Sequence, residues 1–333
     1  MSTTALSPAA PAAATAPALR ERLASQVQRR GALAVLVLVV VIASATSDTF
    51  PTWSNISGIL GSNAFIWLLA LGMTFVIITG GIDLSVGSMY ALGGVLGAYG
   101  AHTGGTWLAI LLPLAVGATW GLVQGLLIAR AGMAPFIVTL AGLLGARGLL
   151  QAITDEGATT NLVPAGSAFR HLGQGVWTPV IIVAVLFGLG GLLLTRTRFG
   201  GVLTAMGGNE NAAELMGLPV VRTKVLVYLL SGTLAAAAGA LGSARLGSGV
   251  TTIGIGYELT AIAAVVIGGT LLTGGSGSVV GTVSGVLLLA VIHNLIDHYF
   301  SQYGSAFTDA VNGGFLAVVV LLQTLLSRTQ QLA

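Results

Sequence analysis

GMTFVIITGGIDLSVGSMYALGG, residues 72–94, holds two apolar runs joined by a glycine-rich turn whose single charge is Asp83. The chain carries only 10 acidic residues in 333, so a carboxylate at this place needs an explanation. The flanking runs extend over about 64–79 and 86–101, near the ~20 residues that cross a bilayer as a helix. A bilayer core offers the backbone no water to bond, so runs of this kind fold as helices. The stretch reads as a turn between two membrane spans, and the rest of the chain decides whether that reading generalises.

Hydrophobic residues make up 55% of the chain and charged residues 7%, with a mean hydropathy of +0.94. A soluble domain carries about 25% charged residues, so this surface cannot face water, and the fold class is all-α and polytopic. The excess of 13 Lys and Arg over 10 Asp and Glu suits orientation in a membrane rather than nucleic-acid binding. Cysteine is absent, which removes disulfides, thiolate metal sites and a cysteine nucleophile. Residues 1–30 are Ala/Pro/Ser-rich and then basic, which predicts a disordered cytoplasmic tail and a short basic lead-in helix. Arg29 and Arg30, the apolar run after them and the A-S-A at 43–45 admit a cleaved signal peptide. The long segment before the run favours an uncleaved span.

Apolar stretches fall at about 31–47, 64–79, 86–101, 107–129, 134–153, 176–195, 224–246, 257–273, 277–298 and 306–326, giving ten predicted spans within a membrane domain at 31–327. Positive charge fixes their direction. With the N-terminus inside, Arg20, Arg22, Arg29, Arg30, Arg130, Arg196, Arg198, Arg222, Lys224 and Arg328 all fall on the cytoplasmic side, ten of the 13 basic residues. Both termini are then cytoplasmic, residues 154–175 are outside and 196–223 inside. The inner segment contains a short punctuated helix: Asn209 can cap it, Glu210 suits its positive end, and Gly217 with Pro219 stops it. It is either a helix lying on the inner leaflet or one presented to a cytoplasmic partner. TGGIDLSVGS (79–88) and TGGSGSVVGT (273–282) share T-G-G-x4-V-G-[S/T], which predicts related hairpins if it is not an accident of glycine-rich composition.

Several chemistries are excluded. The single lysine, Lys224, has no glycine-rich loop before it, so no P-loop is present and ATP must be bound by another chain. G-G-S-G at 274–277 is a poor serine nucleophile, because His293 and His298 lie 17 and 22 residues further along one apparent helix, about 25 Å or more away. His293 and His298 are five apart, so their rings diverge and make no metal pair, even with Asp297 between them. Asp83, Arg147, Glu258 and Asp297 are expected near span ends rather than in a relay, which suits a path for a neutral solute. Asp83 can cap the third span by accepting N–H groups near Ser85 and Val86, or it can take part in a solute path or gate. Gly80, Gly81 and Gly87 are expected as structural turn glycines.

The residues at 72–94 closely resemble the signature of the permeases of carbohydrate-uptake ABC transporters, the ribose/xylose/galactose type. The resemblance continues through APFIVTLAGLLGARGL (134–149), RTRFGGVLTAMGGNENAAELMG (196–217), YLLSGTLAAAAGAL (228–241) and GYELTAIAAVVIGGTLLTGGSGSVVGT (256–282). Within the family, AFIWLLALGMTFVI, TLAGLLGARG, the outer-loop DEG and IGGTLLTGGSGSVVGT look most like galactofuranose-type permeases. Amino-acid permeases of the same superfamily lack G-G-I-D-L-S, which favours sugar. The resemblance implies a non-catalytic subunit in a bacterial plasma membrane that moves a monosaccharide inward. It implies as partners a cytoplasmic ABC ATPase, an extracytoplasmic sugar-binding protein and a second permease subunit, identical or related. Asn209, Glu210, Ala213, Glu214 and Gly217 would then form the helix coupled to the ATPase, and the outer loops at 154–175, 247–256 and 299–305 the surface for the binding protein. Gly80, Gly81, Asp83, Ser85 and Gly87 form the signature turn and a candidate gate. The alternative is a self-sufficient carrier or channel for a small neutral solute.

Overall fold

The computed structural model describes residues 19–300 and scattered positions between 304 and 321. The run at 306–326, most of the tail and most of 299–305 lie outside the described residues. Twelve helices follow in order: α1 (Leu19–Thr46), α2 (Trp53–Ile78), α3 (Val86–Thr103), α4 (Gly105–Ala129), α5 (Pro135–Ile153), α6 (Ala168–Gly173), α7 (Trp177–Arg196), α8 (Arg198–Gly208), α9 (Glu210–Leu215), α10 (Val220–Leu246), α11 (Tyr257–Ile267) and α12 (Val279–Phe300). The first nine expected runs each fall on a helix of their own. Among the described residues, α2, α4, α5, α7, α10 and α12 are long and apolar enough to cross a membrane. The expected basic lead-in is continuous with the first apolar run in α1. The eighth run ends early, because Gly268 and Gly269 stop α11 after 11 residues. Segment 161–163 pairs with 247–249 through Val163 N–H to the Gly247 carbonyl and Gly249 N–H to the Asn161 carbonyl; this is the one trace of β pairing among the described residues.

Local signals explain the boundaries. Thr52 caps α2 by accepting from Asn55 N–H, Ser167 caps α6, and Thr197 caps α8. Pro135 occupies the first turn of α5, where its missing N–H costs nothing. α10 ends at Gly247 in the left-handed region.

α10 is the central post, packed by α4, α3 and α2; α5 leans on α3, α7 on α2, and α1 on α12. Small residues make the contacts. A Cβ placed on Gly93 would strike the Ala236 backbone, and one on Gly117 or Gly121 the backbone at Gly232 or Tyr228. In a bilayer, where helices gain little from hiding apolar surface from lipid, such close backbone approach supplies the dispersion contacts. Polar side chains add ties, as between Asn55 in the first turn of α2 and Asn294 of α12, which exchange amide hydrogen bonds.

Candidate functional site

The turn after α2 does not lie at a bundle end. Gly72, six residues before the end of α2, packs on Ser231, eleven residues into α10; at 1.5 Å per residue Ser231 is about 16 Å from the start of its helix. Asp83 reaches that level, because residues 81–85 climb back into the bundle as non-helical backbone before α3 begins at Val86. The expectation of a carboxylate near a span end is corrected here: Asp83 is at mid-depth and fully buried. The reason is the geometry of the turn, whose backbone bonding back to α2 ends at Gly81 and whose helical bonding resumes only with the Ser85 carbonyl.

Both oxygens of Asp83 are satisfied. Oδ1 accepts from Ser85 N–H at 3.0 Å and Ser85 Oγ at 2.6 Å, and Oδ2 accepts from Ser231 Oγ at 2.7 Å. The Ser85 N–H bond is the local tie expected of Asp83, although the cap position of α3 itself is held by Ser85. The Ser231 bond crosses to α10 and was not expected. Gln124 of α4 lies 3.3 Å from Ser85 Oγ. Since that hydroxyl has one proton and Asp83 is the nearer acceptor, the amide fits best with its NH2 donating to Ser85 Oγ. Thr139 of α5 places its hydroxyl 3.2 Å from the Ile82 carbonyl, shared with the nearer Pro135 carbonyl of its own helix at 2.9 Å. The turn is therefore held by α4, α5 and α10 at once. Tyr228 OH, buried beside Gly81, has no hydrogen-bond partner among the described residues. Ser231, Gln124 and Tyr228 were missed in the sequence, although a polar side chain mid-way along an apolar run is itself a signal.

A second non-helical stretch enters from the other end. Gly249 packs against Val95 and Ala98 of α3, and Gly254 meets Gly87, so residues 249–254 run down α3 into the bundle. Part of the segment expected as outer surface is thus folded inward. Gly254 and Gly256 have φ of +83° and +80°, which glycine adopts without a Cβ penalty. Arg147 of α5 donates to the carbonyls of Thr251 at 2.8 Å and Ile253 at 3.2 Å, and Glu258 at the start of α11 lies against Gly87. Arg147 and Glu258 are half-buried. Glu258 sits at the start of its helix, as expected, whereas Arg147 lies six residues inside the end of α5; the bundle places Asp83, Gly87, Glu258 and Arg147 around the crossing of two unwound segments. Non-helical backbone at membrane depth is tolerated where protein buries it or it lines a path.

At the far end of α7 the coupling candidates form a knob. Asn209 Oδ1 accepts from Ala212 N–H at 3.0 Å, Ala213 is buried, and Gly217 turns at φ +75°. Glu210 pairs with Lys224 at 2.5 Å, pinning the knob to α10. Glu214 is exposed, and next to it Leu215 and Met216 are 90% and 66% exposed. The site residues thus form two groups, a buried turn and an exposed knob. Gly207 and Gly208 at the end of α8 bridge them, packing on Gly275 and Ile78.

The chain is 37% identical over 311 residues to the fructose import permease protein FruG of Bifidobacterium longum, covering 88% of this chain and 89% of that one. It is 41% identical over 301 residues to the ribose import permease protein RbsC of Bacillus subtilis, covering 89% and 92%. It is 38% identical over 312 residues to RbsC of Escherichia coli strain K12, covering 91% and 94%. No solved structure matches the chain. With residues 55–325 matching the family described as branched-chain amino acid transport system / permease component, the chain belongs to that family of membrane permeases.

Proposed function

We propose that the chain is the membrane subunit of an ATP-driven importer of a monosaccharide. The observation that carries this is the 37–41% identity to ribose and fructose import permeases over about nine-tenths of the chain. The family description names amino acids, but the relatives' names and the G-G-I-D-L-S turn favour sugar. ATP is hydrolysed by a separate cytoplasmic ATPase, an extracytoplasmic binding protein delivers the sugar, and a second permease copy or relative completes the path. Ten crossings with both termini inside accommodate the six long apolar helices, the shorter α1, α3 and α11 spans, and the run at 306–326. The solute passes near the crossing of the two unwound segments, where backbone carbonyls and Arg147 offer hydrogen bonds to hydroxyls. The knob docks in the ATPase through Leu215 and Met216, whose exposure is costly in water and useful in an interface.

The test is ATP-dependent uptake in proteoliposomes holding the chain, its ATPase and its binding protein, with ribose, fructose and galactofuranose offered in turn. Uptake of one of these requiring all components is expected. Sugar flux through the chain alone, without ATP, would establish the self-sufficient carrier or channel instead. The isolated chain is expected to hydrolyse no ATP, and hydrolysis surviving Lys224→Ala would overturn the division of labour.

A further inference from the structure

A cleft of about 650 Å³ opens where the end of α4 meets the α9–α10 corner, lined by Leu122, Leu126, Arg130, Glu214, Arg222 and Leu226 among others. Arg130 follows the last turn of α4 and Arg222 lies in the first turn of α10, and both are exposed. Among the described residues neither guanidinium has a hydrogen-bond or ion-pair partner, whereas nearby Lys224 has Glu210. One carboxylate, Glu214, shares the cleft, so its charge is net positive. Below the arginines the walls are apolar and open: Leu122 and Leu226 are each 37% exposed on neighbouring long apolar helices. Two unpaired guanidiniums above an apolar groove that runs toward the middle of a span match one chemistry, a phosphate on top of an acyl chain. A guanidinium fork binds phosphate oxygens in paired hydrogen bonds, and the first turn of α10 adds its positive dipole end.

We propose that this cleft is a binding site for an anionic phospholipid of the phosphatidylglycerol type. The phosphate sits between Arg130 and Arg222, the acyl chain lies along Leu122, Leu126 and Leu226, and a headgroup hydroxyl donates to Glu214. The lipid touches Glu214 and Leu218 at the foot of the knob, so its occupancy would bear on the corner that we assign to ATPase docking. The site rests on the cleft's own chemistry and holds whichever leaflet the corner faces, so it stands or falls apart from the sugar assignment. Basic pockets between spans are a recurrent way of holding acidic headgroups.

The experiment is native mass spectrometry of the purified full chain after exchange into detergent carrying equal amounts of phosphatidylglycerol and phosphatidylethanolamine. Wild type is expected to retain phosphatidylglycerol over phosphatidylethanolamine. Arg130→Gln/Arg222→Gln is expected to lose at least five-fold of that retention, while Arg196→Gln/Arg198→Gln, which removes the same charge elsewhere, keeps it. Leu126→Trp keeps both charges, fills the groove, and is expected to lose retention too, so the test survives a poorly folding arginine variant. Equal retention in the Arg130/Arg222 variant, equal loss in the control, or no preference between the two lipids would overturn the proposal. In parallel, inorganic phosphate should not reproduce the thermal stabilisation given by phosphatidylglycerol. If it does, the site binds a soluble anion and the lipid assignment fails; if only the ATPase shields Arg130 from modification and the lipid does not, the cleft is a protein interface.

Discussion

The turns at 79–88 and 273–282 share glycines and differ in charge, and the structure sets them side by side. In both, the first glycine is left-handed, Gly80 at φ +79° and Gly274 at +86°. In both, that glycine's N–H bonds three residues back, to Ile77 at 2.8 Å and to Leu271 at 3.0 Å. They are tied to each other, since Gly275 N–H donates to the Ile78 carbonyl at 2.9 Å. Beyond the glycines they part. Where the first turn has Asp83, the second has Gly277, packed under the Ile78 side chain. The hairpin backbone therefore needs no carboxylate. Asp83 belongs to the cross-bundle tie with Ser231, Ser85 and the neighbouring Gln124, and one turn is a joint while the other is a joint that also holds a buried carboxyl group.

The largest effect should come from removing that difference. Asp83→Ala leaves the Ser85 and Ser231 donors buried and unpaired, at a cost of about 3 kcal/mol or more, read as lost membrane abundance and a lower unfolding temperature in detergent. Asp83→Asn keeps an acceptor for Ser85, and the Ser231 hydroxyl can turn to accept, so a cost of about 1 kcal/mol is expected. This variant also separates the two readings of Asp83. A folded Asp83→Asn permease that still supports uptake assigns the residue to structure, and one that folds but fails in uptake assigns its charge to the path or gate.

Next comes the shared glycine. Gly80→Ala meets only the left-handed penalty, about 1 kcal/mol, because nothing lies closer to its Cβ than the Thr273 carbonyl at 3.5 Å. Gly274→Ala adds a clash, with Gly80 N at 2.8 Å and the Gly207 carbonyl at 2.9 Å, for about 2–3 kcal/mol in total. Equal thermal shifts for the two alanines would break the picture of one free and one wedged turn. At the knob, Glu214→Lys at matched abundance is expected to lower ATPase co-purification and uptake while sparing stability, since its side chain is exposed. Unchanged values for both would leave α9 as a helix resting on lipid.

What the sequence disclosed and withheld follows from range. Apolar length placed α2, α4, α5, α7, α10 and α12, because each run must satisfy its own backbone. Asn209 and Gly217 punctuated the knob through contacts three residues away or less, and such signals are written locally. The partners of Asp83 are not local: Ser231 is 148 residues on, and only the packing of Gly72 on α10 brings it there. The depth of the turn was equally hidden, since residues 81–85 read as a loop whether they skirt the membrane or climb into it. The inward course of 249–254 had a partial signal in Gly249, Gly254 and Gly256, whose spacing marks close backbone approach but not its direction.

The smallest expected effect tests whether the two turns act as one joint. Just before the first turn, Thr74 of α2 bonds the Ala70 carbonyl and also the hydroxyl of Thr282, 2.7 Å away, at the end of the second turn's echo. Thr282 in turn reaches the Ser278 carbonyl at 3.2 Å. Each hydroxyl can spend its proton on its own helix, so the cross-turn bond competes with local acceptors, and interhelical bonds in membranes average only about 0.6 kcal/mol. Thr74→Val and Thr282→Val preserve volume and branching, and each should cost about 0.5–1 kcal/mol, with the double variant costing less than their sum. A coupling near 0.5 kcal/mol in a double-mutant cycle, read by reversible unfolding in detergent, means that the two turns share an energetic contact as well as a geometric one. Strict additivity means that the threonines merely bond within their own helices, and that the Gly275–Ile78 bond and the glycine packing around it join the two halves.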